Sequence, residues 1–78
     1  MGYNQLVLMK FLLIIQICSI VLQECTPLLE IYPLYNSHYD CATGGFLRGL
    51  TAIRELGVDE VNQKIIYLNF SCKELVNS

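Results

Sequence analysis

The chain has 78 residues, enough for one domain at most, and 5 basic against 7 acidic residues give it a formal net charge of −2. The sequence has no basic patch, which argues against nucleic acid and anionic membrane surfaces as partners. Hydrophobic residues make up 54% of the chain, but they are concentrated near the N-terminus.

The N-terminal segment has the layout of a secretory signal peptide. An uncharged apolar run over residues 11–22 directly follows Lys10. The run is shorter than the roughly 20 residues that a membrane-spanning helix needs. We therefore expect residues 1–24 to be removed by a cut after Gln23 or Glu24, although no clean pair of small residues marks that site. Met9 is an alternative start, and retention as a membrane anchor is the alternative fate.

The cysteines indicate an oxidising compartment. Removal of the leader would take Cys18 with it and leave Cys25, Cys41 and Cys72. We favour a Cys41–Cys72 disulfide because it would clamp the segment with the strongest secondary-structure signals, adding roughly 3–4 kcal/mol on the chain-entropy model. Spacing alone leaves three pairings open. In the favoured pairing Cys25 is free or interchain, which allows a disulfide-linked homodimer.

Residues 25–45 are expected to form an extended arm or loop. Two prolines forbid a regular helix through its first half. Thr43-Gly44-Gly45 is expected to interrupt regular secondary structure before the next element begins. The arm carries three tyrosines, which are Tyr32, Tyr35 and Tyr39. Tyrosine is amphipathic and typical of contact surfaces, so these are candidate partner contacts. The alternative is that the rings pack over a small core.

Residues 46–78 are expected to form a helical hairpin. Apolar residues between Phe46 and Leu56 recur at helical spacing, and Gly57 is a natural stop. Asp59 would cap a second helix with one apolar stripe. That stripe consists of Val61, Ile65, Leu68, Cys72 and Leu75. The predicted fold is therefore small and mainly α, a short disulfide-stapled helical hairpin preceded by the extended Tyr/Pro arm. The alternative is α+β, helix then strand, because β-forming residues alternate in the second half.

One modification site is indicated, and catalytic patterns are missing from the sequence. Asn69-Phe70-Ser71 is an N-glycosylation sequon, so Asn69 is a candidate glycan acceptor, with an ordinary exposed asparagine as the alternative. His38 is the single histidine. The sequence lacks the paired ligand spacings of a structural zinc site. It also lacks a third group that would orient His38 as the base for a cysteine nucleophile. We therefore expect no enzyme activity, no metal and no cofactor.

These features predict a small secreted extracellular protein that binds an extracellular protein or receptor, as an effector, signalling or secretory-fluid factor. A second hypothesis comes from Gly44-Gly45 before a helix and Gly57-Val58-Asp59-Glu60-Val61-Asn62 before a strand-like run. This pattern over residues 44–78 resembles the start of the cystatin family. The resemblance implies protease inhibition, a helix packed in an antiparallel sheet and a role for Gly44 and Gly45, although no Q-x-V-x-G loop follows. A third hypothesis is a membrane-anchored microprotein.

Overall fold

The chain folds as one helix with a four-stranded antiparallel sheet, as seen in a computed structural model that describes residues 9–76. The elements in chain order are β1 (Met9–Ser19), β2 (Glu24–Cys25), β3 (Leu29–Tyr35), α1 (His38–Lys64) and β4 (Ile66–Val76). The prediction of a mainly α helical hairpin was therefore wrong. Residues 1–8, which an alternative start at Met9 would exclude, lie outside the described residues.

β1 is the centre of the sheet, and every other strand pairs with it in the antiparallel sense. β4 pairs with β1 along its whole length. β3 and β2 lie opposite the first and last parts of β1, respectively. The apolar run that reads as a signal peptide thus provides the central strand. A short continuous apolar run is equally typical of a buried strand, which is why the sequence alone does not separate the two.

The core is small and lies between β1 and α1. Leu13 and Ile15 of β1 form a buried cluster with Cys41 of α1. Five partly buried side chains pack around this cluster, and they are Phe11, Ile31, Tyr35, Phe70 and Cys72. Because side chains alternate along a strand, the odd-numbered residues of β1 face the helix. Most of the hydrophobic core of the described chain therefore depends on β1.

α1 begins earlier than residue 46, where the sequence places its start. Ser37 caps it, since the Ser37 Oγ accepts a hydrogen bond from the Asp40 backbone N–H at 3.1 Å. The Asp40 carboxylate in the first turn also suits the positive end of the helix dipole. The expected arm over residues 25–45 is thus divided between the extended edge strand β3 and the first turns of α1.

Small residues let α1 approach the sheet closely. Cys41, Gly45 and Gly49 recur every four residues and are the buried residues of the helix. A Cβ on Gly45 would collide with the Phe70 ring, and one on Gly49 would lie 2.8 Å from Leu68 Cδ1. The expectation that Gly44 and Gly45 interrupt secondary structure was wrong. Both lie within α1, where the absence of a side chain allows the helix to pack closely against the sheet.

The chain after Gly57 departs from the predicted second helix. α1 is kinked at Gly57, with φ 89° and ψ 166°, and ends at Lys64. Ile65 then adopts a left-handed conformation, with φ 48°, and turns the chain into β4. Residues 66–76 form a strand because their β-formers alternate and because β1 offers a partner along the full length. The alternative of helix then strand describes this region correctly.

Candidate functional site

Two intramolecular disulfides tie the elements together. Cys41–Cys72 joins α1 to β4, and this is the pair that the sequence favours. Cys18–Cys25 closes the β1–β2 turn. The assignment of Cys25 as a free or interchain cysteine was wrong, because the pairing of β1 with β2 places Cys18 opposite Cys25. All cysteines of the described chain are bonded, and two intramolecular disulfides are consistent with an extracellular location.

The three candidate contact tyrosines lie in different environments. Tyr32 on β3 and Tyr39 on α1 are 62% and 77% exposed. Tyr35 packs against the core, with its hydroxyl over Gly44. The Tyr32 hydroxyl donates a hydrogen bond to the Glu30 carboxylate at 3.2 Å, and that bond, together with the negative charge of Glu30, raises the pKa of Tyr32. Tyr32 and Tyr39 remain available to a partner, whereas Tyr35 has a packing role.

The apolar side chains that recur at helical spacing after Phe46 are mainly exposed on α1. Phe46, Leu47 and Leu50 are 70%, 61% and 47% exposed, because the small-residue stripe faces the sheet instead. An exposed apolar stripe on a helix is a feature of binding surfaces. Sequence periodicity located this stripe correctly but could not show which side of the helix meets the sheet.

A groove of about 250 Å³ runs between α1 and β4, and we call it the α1–β4 groove. The residues that line it are Gly45, Phe46, Gly49, Leu50, Ile53, Leu68 and Phe70. The rings of Phe46 and Phe70 meet edge to face, with centroids 5.0 Å apart, and form one end of the apolar lining. Its lining is predominantly hydrophobic, so it can accept aliphatic or aromatic side chains.

The groove lies beside a strand edge that has no partner within residues 9–76. β4 pairs with β1 on one side only. The backbone N–H and C=O groups on the other edge of an edge strand are free to pair with an added strand. A hydrophobic groove beside such an edge can bind an extended chain through its backbone and its alternate side chains. This site was not predicted from the sequence, because residues 66–76 were expected to belong to a helix.

The sequon lies on the opposite face of β4 from the groove. Asn69 and Ser71 are exposed, whereas Leu68 and Phe70 point towards α1. Asn69 lies opposite Gln16 in the β1–β4 register, on the face of the sheet that α1 leaves uncovered. A glycan attached to Asn69 would therefore extend away from the α1–β4 groove.

The residues considered for other chemistry have structural contacts. His38, at the start of α1, meets the Phe11 ring edge to face at 5.8 Å. Gly44 and Gly45, which carry the cystatin resemblance, lie within α1 and face Tyr35 and the Phe70 ring. The described residues contain no group of three or more His, Cys, Asp or Glu that could hold a metal. Among the described helices, none is long and apolar enough to span a membrane.

No family model, curated protein or solved structure matches this chain.

Proposed function

We propose that this chain is a small secreted binding protein that holds an extended apolar segment of an extracellular protein in the α1–β4 groove. The observation that carries the proposal is the hydrophobic groove beside the edge of β4 that has no partner within the described residues 9–76. Main-chain hydrogen bonds to the strand edge would supply affinity. Side chains at alternate positions of the bound segment would enter the groove and supply specificity.

Exposed side chains on α1 support this binding mode. Phe46 and Leu50 line the groove and are 70% and 47% exposed in the described chain. Full burial of a large apolar side chain contributes about 1.5–3 kcal/mol relative to exposure. Two such anchors at the centre of a contact are typical of the few residues that dominate an interface. Tyr32 and Tyr39 lie outside the groove lining and are secondary candidates.

Secretion and glycosylation belong to the same proposal. The apolar run after Lys10 suits export, and both disulfides suit an oxidising compartment. Asn69 would carry its glycan on the uncovered face of the sheet and leave the groove accessible. Loss of mass after treatment with an N-glycosidase, absent in an Asn69→Gln variant, would support the modification, and an unchanged mass would contradict it.

The proposed protein retains residues 9–24 instead of losing them after export. β1 pairs with all three other strands and supplies Leu13 and Ile15 of the buried cluster. The lack of a clean pair of small residues before Cys25 favours retention, since signal peptidase selects such pairs. Cleavage after Gln23 or Glu24 would leave about 54 residues without the central strand, close to the lower limit for unaided folding.

Intact mass of the protein from cells and medium, with and without reductant, tests secretion and retention together. We expect a monomer in the medium that contains β1 and that gains four hydrogen atoms when its two disulfides are reduced. A shorter species that begins near Cys25 and doubles in mass without reductant would instead support signal-peptide removal and a covalent dimer. A full-length species found only in membranes would support the membrane-anchored hypothesis.

Peptide selection tests the groove. Random nine-residue peptides displayed on phage would be selected on the oxidised protein, and the selected peptides should alternate apolar with polar residues. Leu50→Asp should weaken their binding at least about tenfold, because it places a charge in the apolar lining. Leu47→Asp is the matched control, since Leu47 is exposed on α1 but does not line the groove. Equal losses in both variants, or binding unaffected by Leu50→Asp, would contradict the proposal.

A further inference from the structure

The β1–β2 turn presents three consecutive aliphatic side chains to solvent. Ile20, Val21 and Leu22 are 58%, 55% and 50% exposed. Ile65, in the connection from α1 to β4, is also half exposed. It adjoins the turn because the Ile20 N–H donates a hydrogen bond to the Ile65 carbonyl at 3.1 Å. We call these four residues the aliphatic tip.

The backbone donors of this turn are already bonded within the protein. The Val21 N–H donates to the Lys64 carbonyl, and the Leu22 N–H donates to the Ser19 Oγ at 3.0 Å. The Gln23 N–H donates to the Ser19 carbonyl at 2.9 Å. An unpaired N–H group is costly in hydrocarbon, where water cannot replace the missing bond. The turn can therefore move from water into an apolar environment without leaving these backbone N–H groups unbonded.

The conformation of Ile65 is a second unusual feature of the tip. Its φ of 48° lies in the left-handed region, which disfavours β-branched residues and usually holds glycine or asparagine after a helix. An isoleucine here is strained and also leaves half of its side chain in solvent. Strained residues cluster at functional positions. A role for an exposed aliphatic side chain at residue 65 would explain why isoleucine occupies a position whose backbone conformation disfavours it.

The charges near the tip indicate which type of membrane it suits. Glu24 follows the turn, and Lys64 is paired with Glu60 at 2.6 Å. No basic cluster accompanies the tip within the described chain, and the net charge is −2. Anionic membranes attract clusters of Lys and Arg. We propose that the aliphatic tip inserts into the interface of an uncharged phospholipid bilayer; this rests on the retention of residues 9–24 proposed above.

Flotation of the oxidised full-length protein with phosphatidylcholine vesicles tests the proposal. We expect the protein to float with the vesicles, and binding should change little with added salt or phosphatidylserine, because apolar insertion is not screened. Leu22→Asp and Ile20→Asp should each lower the partition coefficient at least about tenfold, since a carboxylate at this depth opposes insertion. Leu47→Asp, an exposed leucine on the middle of α1, should retain wild-type partitioning.

The intact mass of the same sample distinguishes a failure of the proposed retention of residues 9–24 from a failure of the proposed membrane insertion. A mature chain that lacks residues 9–24 would remove the tip and overturn both retention and insertion. A full-length oxidised protein that stays out of the phosphatidylcholine fraction would overturn insertion alone. Binding restricted to phosphatidylserine vesicles, or equal loss in Leu47→Asp, would also overturn it. So would a wild-type dimer that Leu22→Asp converts to a monomer without any vesicle binding, because the tip would then be a protein contact.

Discussion

Replacement of Gly45 by alanine tests the close contact between α1 and β4. In an ordinary helix this change stabilises by about 1 kcal/mol, because glycine loses more backbone entropy on folding. At Gly45, however, the added Cβ would lie closer than 3.0 Å to three atoms of the Phe70 ring. That ring also meets Phe46 edge to face and belongs to a strand paired with β1, so it has little room to move.

The expected net effect follows from these opposing contributions. Extra methyl groups in a close-packed contact typically cost about 1–3 kcal/mol. Subtracting the helix-propensity gain of about 1 kcal/mol leaves Gly45→Ala destabilising by about 1 kcal/mol. For a chain of this size, such a change lowers the melting temperature by roughly 4–8 °C. Gly49→Ala is the matched control, because its Cβ would meet only the flexible end of Leu68. It should be neutral or stabilising.

Urea denaturation of the oxidised variants, followed by circular dichroism, measures both effects. A smaller side chain at residue 70 should relieve the clash, so Phe70→Leu should cost less stability in the Gly45→Ala background than in the wild type. We expect a coupling of about 1 kcal/mol in this double-mutant cycle. If Gly45→Ala raises the denaturation midpoint as much as Gly49→Ala does, or if the cycle shows no coupling, α1 does not lie as close to β4 as described.

Three other changes probe separate contacts. Glu30→Gln should lower the pKa of Tyr32 towards its ordinary value, since the hydrogen bond and charge of Glu30 raise it. If an NMR titration gave the same pKa for Tyr32 in the variant and the wild type, this contact would be contradicted. Leu13→Ala should destabilise by about 2–5 kcal/mol, because Leu13 is fully buried; an unchanged urea midpoint would show that β1 is not in the core. Replacing both Cys41 and Cys72 by alanine should cost about 3.7 kcal/mol on the chain-entropy model, given their separation of 31 residues. A loss below about 1 kcal/mol by urea denaturation would contradict this.

Local patterns in the sequence predicted only part of the fold. Helical spacing after Phe46 and the stop signal at Gly57 correspond to the middle of α1 and to its kink. These features depend on neighbouring residues, so one sequence carries the information. The start of α1 was misplaced because glycines at 44 and 45 are helix breakers in isolation. Their benefit appears only in the folded chain, where Gly44 faces Tyr35 and Gly45 faces the Phe70 ring.

The sheet and the groove depend on distant contacts that local patterns do not contain. Residues 66–76 fit both a helical stripe and a strand, and pairing with β1 decides between them. Because β1 was assigned to a signal peptide, residues 66–76 had no strand to pair with, and a second helix was the better prediction from their local pattern. It also left Cys25 without Cys18. One interpretation of the N-terminal segment therefore caused the errors in fold class and in cysteine assignment, and it concealed the groove.

The fate of β1 can be tested at a single atom. In the folded chain the expected cut after Gln23 or Glu24 falls inside the Cys18–Cys25 loop, so β1 would stay attached through the disulfide after cleavage. Removal must therefore precede folding. If β1 is retained, Cys18→Ser leaves Cys25 unpaired, and we expect a reductant-sensitive dimer or a free thiol in the secreted protein. If residues 1–24 are removed during export, residue 18 is absent from both mature proteins, and the variant and the wild type should have identical intact masses.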